Sequence, residues 1–315
     1  MREKSLIDRI RRSARRGPGI AIGIGDDCAV LRVPPGHELL VTTDFTLENV
    51  HFRRSWHPPE VVGWRCLTRG LSDIAAMGGV PRAAFLSLAL DRNVPQKWVN
   101  RFMSGLLEAA KKFRVSLAGG DTAQSDGGIQ ADIVLVGSVP KGKAILRSGA
   151  RPGDAIYVTG ALGASAAALE ELRKGKVRPS DFARHFHPTA RVQVGQRLRG
   201  RGLASAMIDI SDGFSTDLAH ICEESGVGAV VEAAAIPRAR VGRPLQPVSL
   251  ELALHGGEDY ELLFTSAERI PAKVAGVPVT RVGRITRKRG MILVGEDQRP
   301  RKLLAHGWEH FQARS

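Results

Sequence analysis

The sequence predicts a two-domain α/β protein, on three observations. The chain has 315 residues, beyond the length at which one hydrophobic core keeps growing. Its 43% hydrophobic and 25% charged content is enough to fill sizeable cores. Apolar runs of strand length alternate with segments of three- and four-residue helical spacing, in two stretches separated by a Gly- and charge-rich passage from Lys141 to Asp154 that carries Arg147. The boundary is expected there, dividing residues 1–146 from 147–315.

Composition narrows the function classes. No stretch approaches the roughly 18 apolar residues of a spanning helix, and the charged N-terminal segment has no signal-peptide apolar region, so the chain reads as cytoplasmic. Cys28, Cys66 and Cys222 show no C-x-x-C spacing, which indicates neither a disulfide framework nor a zinc site. The net charge of +14 makes a basic nucleic-acid-binding protein without catalysis a rival reading. Basic clusters lie at Arg9–Arg16 and at Arg281, Arg284, Arg287, Lys288 and Arg289. With only 5% aromatic residues, however, there is no aromatic–basic interleaving to stack bases, and a solvated basic surface that attracts anionic substrates is expected.

Taken in order, Ser5 caps a short amphipathic helix to about Arg12. Gly23-Ile24-Gly25-Asp26-Asp27 follows, an apolar, glycine-spaced run ending in two adjacent carboxylates. Such like charges persist at low cost only in water or against a cation. Cys28–Val33 and Glu38–Thr43 read as strands joined at Pro34-Pro35-Gly36, with Thr42, Thr43 and Asp44 at the end of the second. Pro58-Pro59 opens a helix from about Glu60 to Met77 with Asp73 near its last turn. Ala83–Leu90 is a strand, Pro95–Phe113 a helix, and Val115–Ala118 a strand delivering Gly119-Gly120-Asp121. Ile129–Val139 completes the first half.

In the second half, strand Ala155–Thr159, turn Gly160–Gly163 and helix Ala164–Leu172 form a strand–loop–helix unit. The turn lacks the Gly-Lys-Ser/Thr ending of a Walker loop. His185 and His187 are expected to flank a helix start. Helix Ala190–Leu198, strand Ala204–Asp209 and helix Phe214–Ser225 follow. Asp209 and Asp212 flank Ser211 at that strand-to-helix junction, where free N–H groups would suit a phosphate–metal complex. Leu250–Leu254 leads into His255-Gly256-Gly257-Glu258-Asp259 ahead of an apolar strand. Val279–Ile285 and Met291–Val294 are strands, and Trp308 reads as packing on the core. Acids thus recur at the ends of apolar segments, a pattern suggesting one shared acidic site for a hard cation such as Mg²⁺.

These motifs together resemble the thiamine-monophosphate kinases, members of the ATP-dependent superfamily that includes aminoimidazole ribonucleotide synthetase and selenophosphate synthetase. The resemblance runs through GIGDD (Gly23–Asp27), TTD (Thr42–Asp44), His51-Phe52, LSDIAAMGG (Leu71–Gly79), AGGDT (Ala118–Thr122), LRSGARPGD (Leu146–Asp154), DISDG (Asp209–Gly213) and GGEDYEL (Gly256–Leu262). It implies a homodimer whose N-terminal mixed domains pair into a β-barrel-like core, each with a C-terminal α/β domain closing over ATP. It further implies Mg²⁺ at Asp27, Thr42, Thr43, Asp44, Asp73, Asp121, Asp209 and Asp212. ATP would meet Gly120, Asp121, Arg147 and Ser211, and thiamine monophosphate would meet His51, Glu258 and Trp308.

A phosphate-monoester acceptor carries roughly −1.5 to −2 charges at neutral pH and needs no base. Direct in-line transfer without a covalent nucleophile on the protein is therefore expected. The nearest alternative, a superfamily synthetase of the selenophosphate or aminoimidazole ribonucleotide type, differs on the acceptor side. The selenophosphate enzymes usually carry a reactive Cys or selenocysteine in a mobile N-terminal segment, and residues 1–27 contain no Cys.

Overall fold

The computed structural model describes residues 9–14, 17, 19–24, 28–175 and 177–309. They form two compact units: one takes in the chain up to Ile74 together with Gly79–Lys143, the other Ala75–Gly78 and the chain from Ala144 onward.

In the first unit, β1 (Ile20–Ile22) and β2 (Val30–Leu31) make a two-stranded antiparallel sheet. Residues 9–13 are helical, and the proposed Ser5 cap lies outside the described residues. A four-stranded sheet contains β3 (His37–Leu47), β4 (Val80–Asp91), β5 (Ser116–Ser125) and β6 (Gln130–Pro140), in the order β3-β6-β4-β5. Only β4 and β5 run parallel. A parallel pair needs a long crossover, which α2 (Gln96–Phe113) supplies, while α1 (Pro59–Ala76) links β3 to β4.

The apolar stripe of α1 (Val61, Trp64, Leu67, Leu71, Ile74) is buried, as are Val99, Phe102, Met103 and Leu106 of α2. Glycine sets how closely these helices meet. A Cβ on Gly63 would lie 2.0 Å from the Phe102 carbonyl oxygen, and one on Gly105 would lie 1.8 Å from that of Glu60. The backbones touch where any side chain would force them apart. α2 ends at Arg114, whose left-handed φ of 57° and N–H to the Ala110 and Lys111 carbonyls close the last turn.

Two strands that carry site candidates run on past the ends their sequence suggests. The Thr42-Thr43-Asp44 run lies inside β3, which continues to Leu47, and Gly119-Gly120-Asp121 lies inside β5, which continues to Ser125. These acids belong to strands rather than to loops beyond them.

The second unit is built on one large sheet. Its strands are β7 (Ala155–Thr159), β8 (Ala206–Ile210), β9 (Gly228–Glu232), β12 (Glu261–Ser266), β13 (Lys273–Val274), β14 (Val277–Thr286), β15 (Gly290–Val294) and β16 (Pro300–Lys302), while β10 (Arg240–Val241) and β11 (Gln246–Pro247) form a separate antiparallel pair. The main sheet runs β16-β15-β9-β14-β7-β12-β8, with β13 on β14. Only β9 and β15 pair in parallel. Helices α3 (Ala164–Arg173), α4 (Val192–Gly200), α5 (Phe214–Ser225) and α6 (Leu250–His255) accompany it.

β12 is buried at every position and sits between β7 and β8, which places the residues leading into it beside the end of β8. His185 lies within the helical turn Ala183–Phe186 and His187 closes that turn, so they mark a helix end rather than a start. His185 is fully buried, its Nδ1 2.8 Å from Ser165 Oγ. No helix among the described residues is long and apolar enough to cross a membrane.

Candidate functional site

In the first unit, strand alternation along β3 sends Leu40, Thr42, Asp44 and Thr46 to one face and Leu39, Val41, Thr43 and Phe45 to the other. Leu40 and Thr46 are buried, whereas Leu39, Val41 and Phe45 are 49%, 66% and 57% exposed. Helix α1 covers the first face. Gly70 has no side chain where it meets Thr42 Cγ2 and Leu135 Cβ, and this brings Arg69 and Asp73 down onto β3. The Thr42 hydroxyl donates a short hydrogen bond to Asp73, and Arg69 Nη2 lies 3.5 Å from Asp44 Oδ1.

Burial pushes the Asp44 carboxyl up to about 6. Arg69 opposes that rise, while the nearby charges of Asp73 and Asp132 add to it. Asp132 is a residue that motif reading passes over. It stands on β6 across from Phe45, accepts a 2.6 Å hydrogen bond from the Thr43 hydroxyl on the outward face, and brings a third carboxylate charge close to Asp44. Its sequence signal is an acid interrupting the otherwise apolar Ile129–Val139 run. Asp27, the remaining candidate of the double-Asp loop, lies outside the described residues.

At the opposite edge of the sheet, Gly120 holds φ +149°, and a Cβ there would lie 1.9 Å from the Leu86 carbonyl oxygen. Only glycine lets β5 run so close to β4. The exposed Asp121 follows, its Oδ1 accepting from the Thr122 N–H at 2.8 Å. Gly119 to Thr122 line a cavity of about 580 Å³, together with Ile24 and Leu88. The buried Thr122 Oγ1 has no hydrogen-bond partner among the described residues, so the cavity offers a polar group that a ligand could satisfy. Three strand spacings, about 14 Å of sheet, separate this place from the Asp44–Asp73 cluster. His51 lies in the turn after β3, where its Nδ1 accepts from the Leu47 N–H at 3.0 Å. The neutral ring would then carry its proton on Nε2.

In the second unit the candidates converge on the loop between β8 and α5. Asp209 is buried on β8; Ser211, Asp212 and Gly213 (φ +124°) then lead into α5. The Ser211 carbonyl accepts from the Glu258 N–H at 2.7 Å, and the Asp212 carbonyl accepts from the Trp308 N–H at 2.9 Å. Glu258 and Tyr260 both hold positive φ, +65° and +51°, a strained conformation for residues with side chains. Adjacent carbonyls thus gather Ser211, Asp212, Glu258 and Trp308. The Trp308 ring is 49% exposed, so it does not pack on the core as its sequence suggests.

A further acid joins them. Asp217, nearly fully buried, accepts from the N–H groups of Gly213 (3.0 Å) and Asp212 (3.3 Å). Burial raises its carboxyl well above the usual range, and the neighbouring Asp209 and Asp212 charges raise it further. Ligand atoms of Asp212, Asp217 and His220 lie within 4.8 Å of one another. The N–H groups of Asp212 and Gly213, expected to face a phosphate, are therefore engaged by the chain's own carboxylate. Arg147 lies elsewhere on the unit. It is exposed, and its carbonyl accepts from Ser225 Oγ at the far end of α5, about 18 Å of helix from Gly213.

The other acids of the Gly256–Leu262 motif are structural. Asp259 Oδ2 accepts from the Gly163 N–H at 2.6 Å, just ahead of α3, and burial pushes its carboxyl up to about 7. Glu261, also buried, accepts from the Thr159 hydroxyl (2.6 Å) and from Arg191 through both carboxylate oxygens, one from Nε at 2.6 Å, with Arg184 at 3.3 Å.

Known proteins match this chain over nearly its whole length. Residues 25–139 match the AIR synthase related protein, N-terminal domain, and residues 151–305 match its C-terminal domain. The thiamine-monophosphate kinase of Haemophilus influenzae is 38% identical over 309 residues, covering 93% of this chain and 92% of that protein. The Bacillus subtilis enzyme of the same name is 34% identical over 99% of this chain and all of its own length. The chain belongs to the thiamine-monophosphate kinase family.

Solved structures agree with that membership. The thiamine-monophosphate kinase of Stenotrophomonas maltophilia K279a superposes with a TM-score of 0.83 at 35% identity, over 94% of this chain and 98% of its own. AaThiL complexed with AMPPCP and TMP gives 0.78 at 34% identity over 99% of both chains. The hydrogenase maturation protein HypE, at 20% identity and a TM-score of 0.79 over 97% of this chain and 98% of its own, shares the fold.

Proposed function

We propose that this thiamine-monophosphate kinase family member transfers the terminal phosphoryl group of ATP to thiamine monophosphate, forming thiamine diphosphate. The observation that carries the reading is the 34% identity, over 99% of the chain, to AaThiL, which was solved with AMPPCP and TMP. Glu258 and Trp308, gathered on the Ser211–Asp212 loop, lend the acceptor side support.

The donor chemistry fits Mg²⁺. Thr42, Asp44 and Asp73 offer hard oxygen atoms in a group whose carboxylates repel one another, and Asp209 and Asp212 do so in the second unit. Mg²⁺ is held by such oxygens, usually one or two carboxylates together with substrate phosphates. In this reading Asp27, Thr42, Thr43, Asp44, Asp73, Asp121, Asp209 and Asp212 would hold it, over more than one ion. Bound there, it would neutralise charge between two phosphorylated substrates.

Gly120, Asp121, Arg147 and Ser211 are assigned to ATP, and His51, Glu258 and Trp308 to thiamine monophosphate. The acceptor phosphate, at roughly −1.5 to −2 charges, attacks without a general base. The side chains act by positioning and by excluding competing geometries. Residues 1–146 are assigned to Mg·ATP binding and dimerisation, and residues 147–315 to the second, α/β domain.

The test is incubation with Mg·ATP, with and without thiamine monophosphate, following ADP and thiamine diphosphate together. Equal, acceptor-dependent formation of both is expected, with no phosphate left covalently on the protein after a single turnover. ATP binding without either product would reject the acceptor, and a trapped phosphoenzyme would reject direct transfer.

A homodimer belongs to the same reading. β3 is an edge strand whose outward face exposes Leu39, Val41 and Phe45, a combination that an unaccompanied strand seldom presents to water. Pairing of this face with a second copy would build the β-barrel-like core. Val41→Asp should convert a dimer into a monomer in sedimentation velocity at micromolar concentration, and a variant that stays dimeric would exclude this face.

A further inference from the structure

After β16 the chain is anchored at Leu303, which is buried and donates its N–H to the Met291 carbonyl at 3.0 Å, and then runs over the surface. Leu304 and Trp308 are 44% and 49% exposed, and residues 303–309 form no helix or strand. Three successive backbone N–H groups nevertheless point at one place, the start of α5. His306 N–H reaches Ser215 Oγ at 3.4 Å, Gly307 N–H donates to Thr216 Oγ1 at 2.9 Å, and Trp308 N–H donates to the Asp212 carbonyl at 2.9 Å. The central contact tolerates no side chain. A Cβ on Gly307 would lie 2.3 Å from the Asp212 carbonyl oxygen and 2.5 Å from Thr216 Oγ1, closer than real Cβ atoms come.

We propose that Thr216 and Gly307 form a latch that fixes segment 304–309 on the first turn of α5, and that they are thereby positioning residues for recognition of thiamine monophosphate through Trp308. The register of the segment decides where the Trp308 ring stands. Its amide is tied to the carbonyl of Asp212, next to the Ser211 carbonyl that holds Glu258. A slip of one residue at Gly307 would take the Trp308 amide off the Asp212 carbonyl and change where its half-exposed side chain stands relative to the Ser211–Asp212 loop. Neither Thr216 nor Gly307 need touch a substrate, and the inference rests on the proposed function only in naming the acceptor.

The test compares Thr216→Val, which removes the acceptor oxygen, with Thr216→Ser, which keeps it, and with Gly307→Ala, which alters the exposed segment and leaves α5 intact. Amide hydrogen exchange without substrate should quicken at residues 306–308 in Thr216→Val and Gly307→Ala and stay at the wild-type rate in Thr216→Ser. In the same two variants the KM for thiamine monophosphate should rise by about five- to tenfold, the scale of one lost hydrogen bond. The KM for ATP should not change.

Unchanged exchange in both variants would overturn the latch. Quickened exchange with an unchanged KM for thiamine monophosphate would overturn the positioning role. If the wild-type protein itself shows no turnover dependent on thiamine monophosphate, the proposed function fails and the positioning role fails with it, whereas the exchange rates still decide the latch.

Discussion

Asp44→Asn is expected to abolish phosphoryl transfer and, at neutral pH without metal, to make the protein more stable. The two effects share a cause. Burial holds the Asp44 carboxyl at about 6 against an ordinary value of 3.8, and the attraction of Arg69 is already contained in that net rise. Between these values the folded chain holds a proton that the unfolded chain has released. The stability contributed by the protonated carboxyl is therefore complete below about pH 4 and lost as pH rises through about 6. Above that, the wild-type protein carries an ionised, poorly solvated carboxylate, at a cost of no more than about 3 kcal/mol.

Asparagine does not ionise, so the variant keeps its stability. Its melting temperature should exceed that of the wild type by several degrees at pH 7.5 in EDTA, with the gap closing towards pH 4. Activity should fall by about a thousandfold or more, since a cation ligand supplies several kcal/mol of charge stabilisation. Near-normal turnover at saturating Mg²⁺ would remove Asp44 from the metal set, and a lower melting temperature at pH 7.5 would show that the Arg69 pairing outweighs desolvation.

The same carboxylates show what the sequence makes legible. Helix α5 and its neighbourhood were open to reading because glycines punctuate them: Gly213 precedes Phe214, and Gly226 closes the helix with φ +66°. β7 was bounded by a charged connection and a glycine turn. Where glycine serves a different purpose, the reading failed. Gly119 and Gly120 look like the end of a strand, yet β5 continues because Gly120 is needed for close approach to Leu86, not for a turn. β9 was missed for a related reason: its five residues begin one residue past the Gly226 cap and contain a glycine of their own, Gly228, whose Cβ would meet the Lys288 carbonyl oxygen at 2.0 Å.

Asp132 escaped notice because it sits in the middle of an apolar strand, where no loop motif frames it. Its role emerges only when β6 is laid against β3 and the Thr43 hydroxyl comes within 2.6 Å. The division of the first unit's acids between two sheet edges was likewise hidden. Strand order, which depends on which residues pair across a long crossover, is not written in local spacing.

Two glutamates three residues apart give the sharpest contrast between an acid assigned to the acceptor and a structural one, and the second large effect is expected at Glu261. In the sequence, Glu258 and Glu261 stand in one acidic run, Gly256-Gly257-Glu258-Asp259-Tyr260-Glu261, ahead of an apolar strand, and nothing local separates their roles. In the fold, Glu261 is 1% exposed and is bound by Thr159, Arg191 and Arg184, partners some 70 to 100 residues distant in the chain.

Glu261→Gln leaves the half-buried Arg191 without its counter-charge. Breaking one side of a buried pair costs about 3–5 kcal/mol, and at about 2–4 °C per kcal/mol for a unit of this size the melting temperature should drop by about 6–20 °C. Glu258→Gln, a same-shape change at a half-buried position, should lower the melting temperature by less than Glu261→Gln does. It should nonetheless lower kcat/KM for thiamine monophosphate by about ten- to a hundredfold through loss of the proposed charged contact to the cationic thiazolium. The check is thermal unfolding beside steady-state kinetics on both variants. A Glu261→Gln protein that melts with the wild type would mean that the arginines re-solvate at little cost, and a Glu258→Gln protein of unchanged kcat/KM would take Glu258 out of the acceptor site.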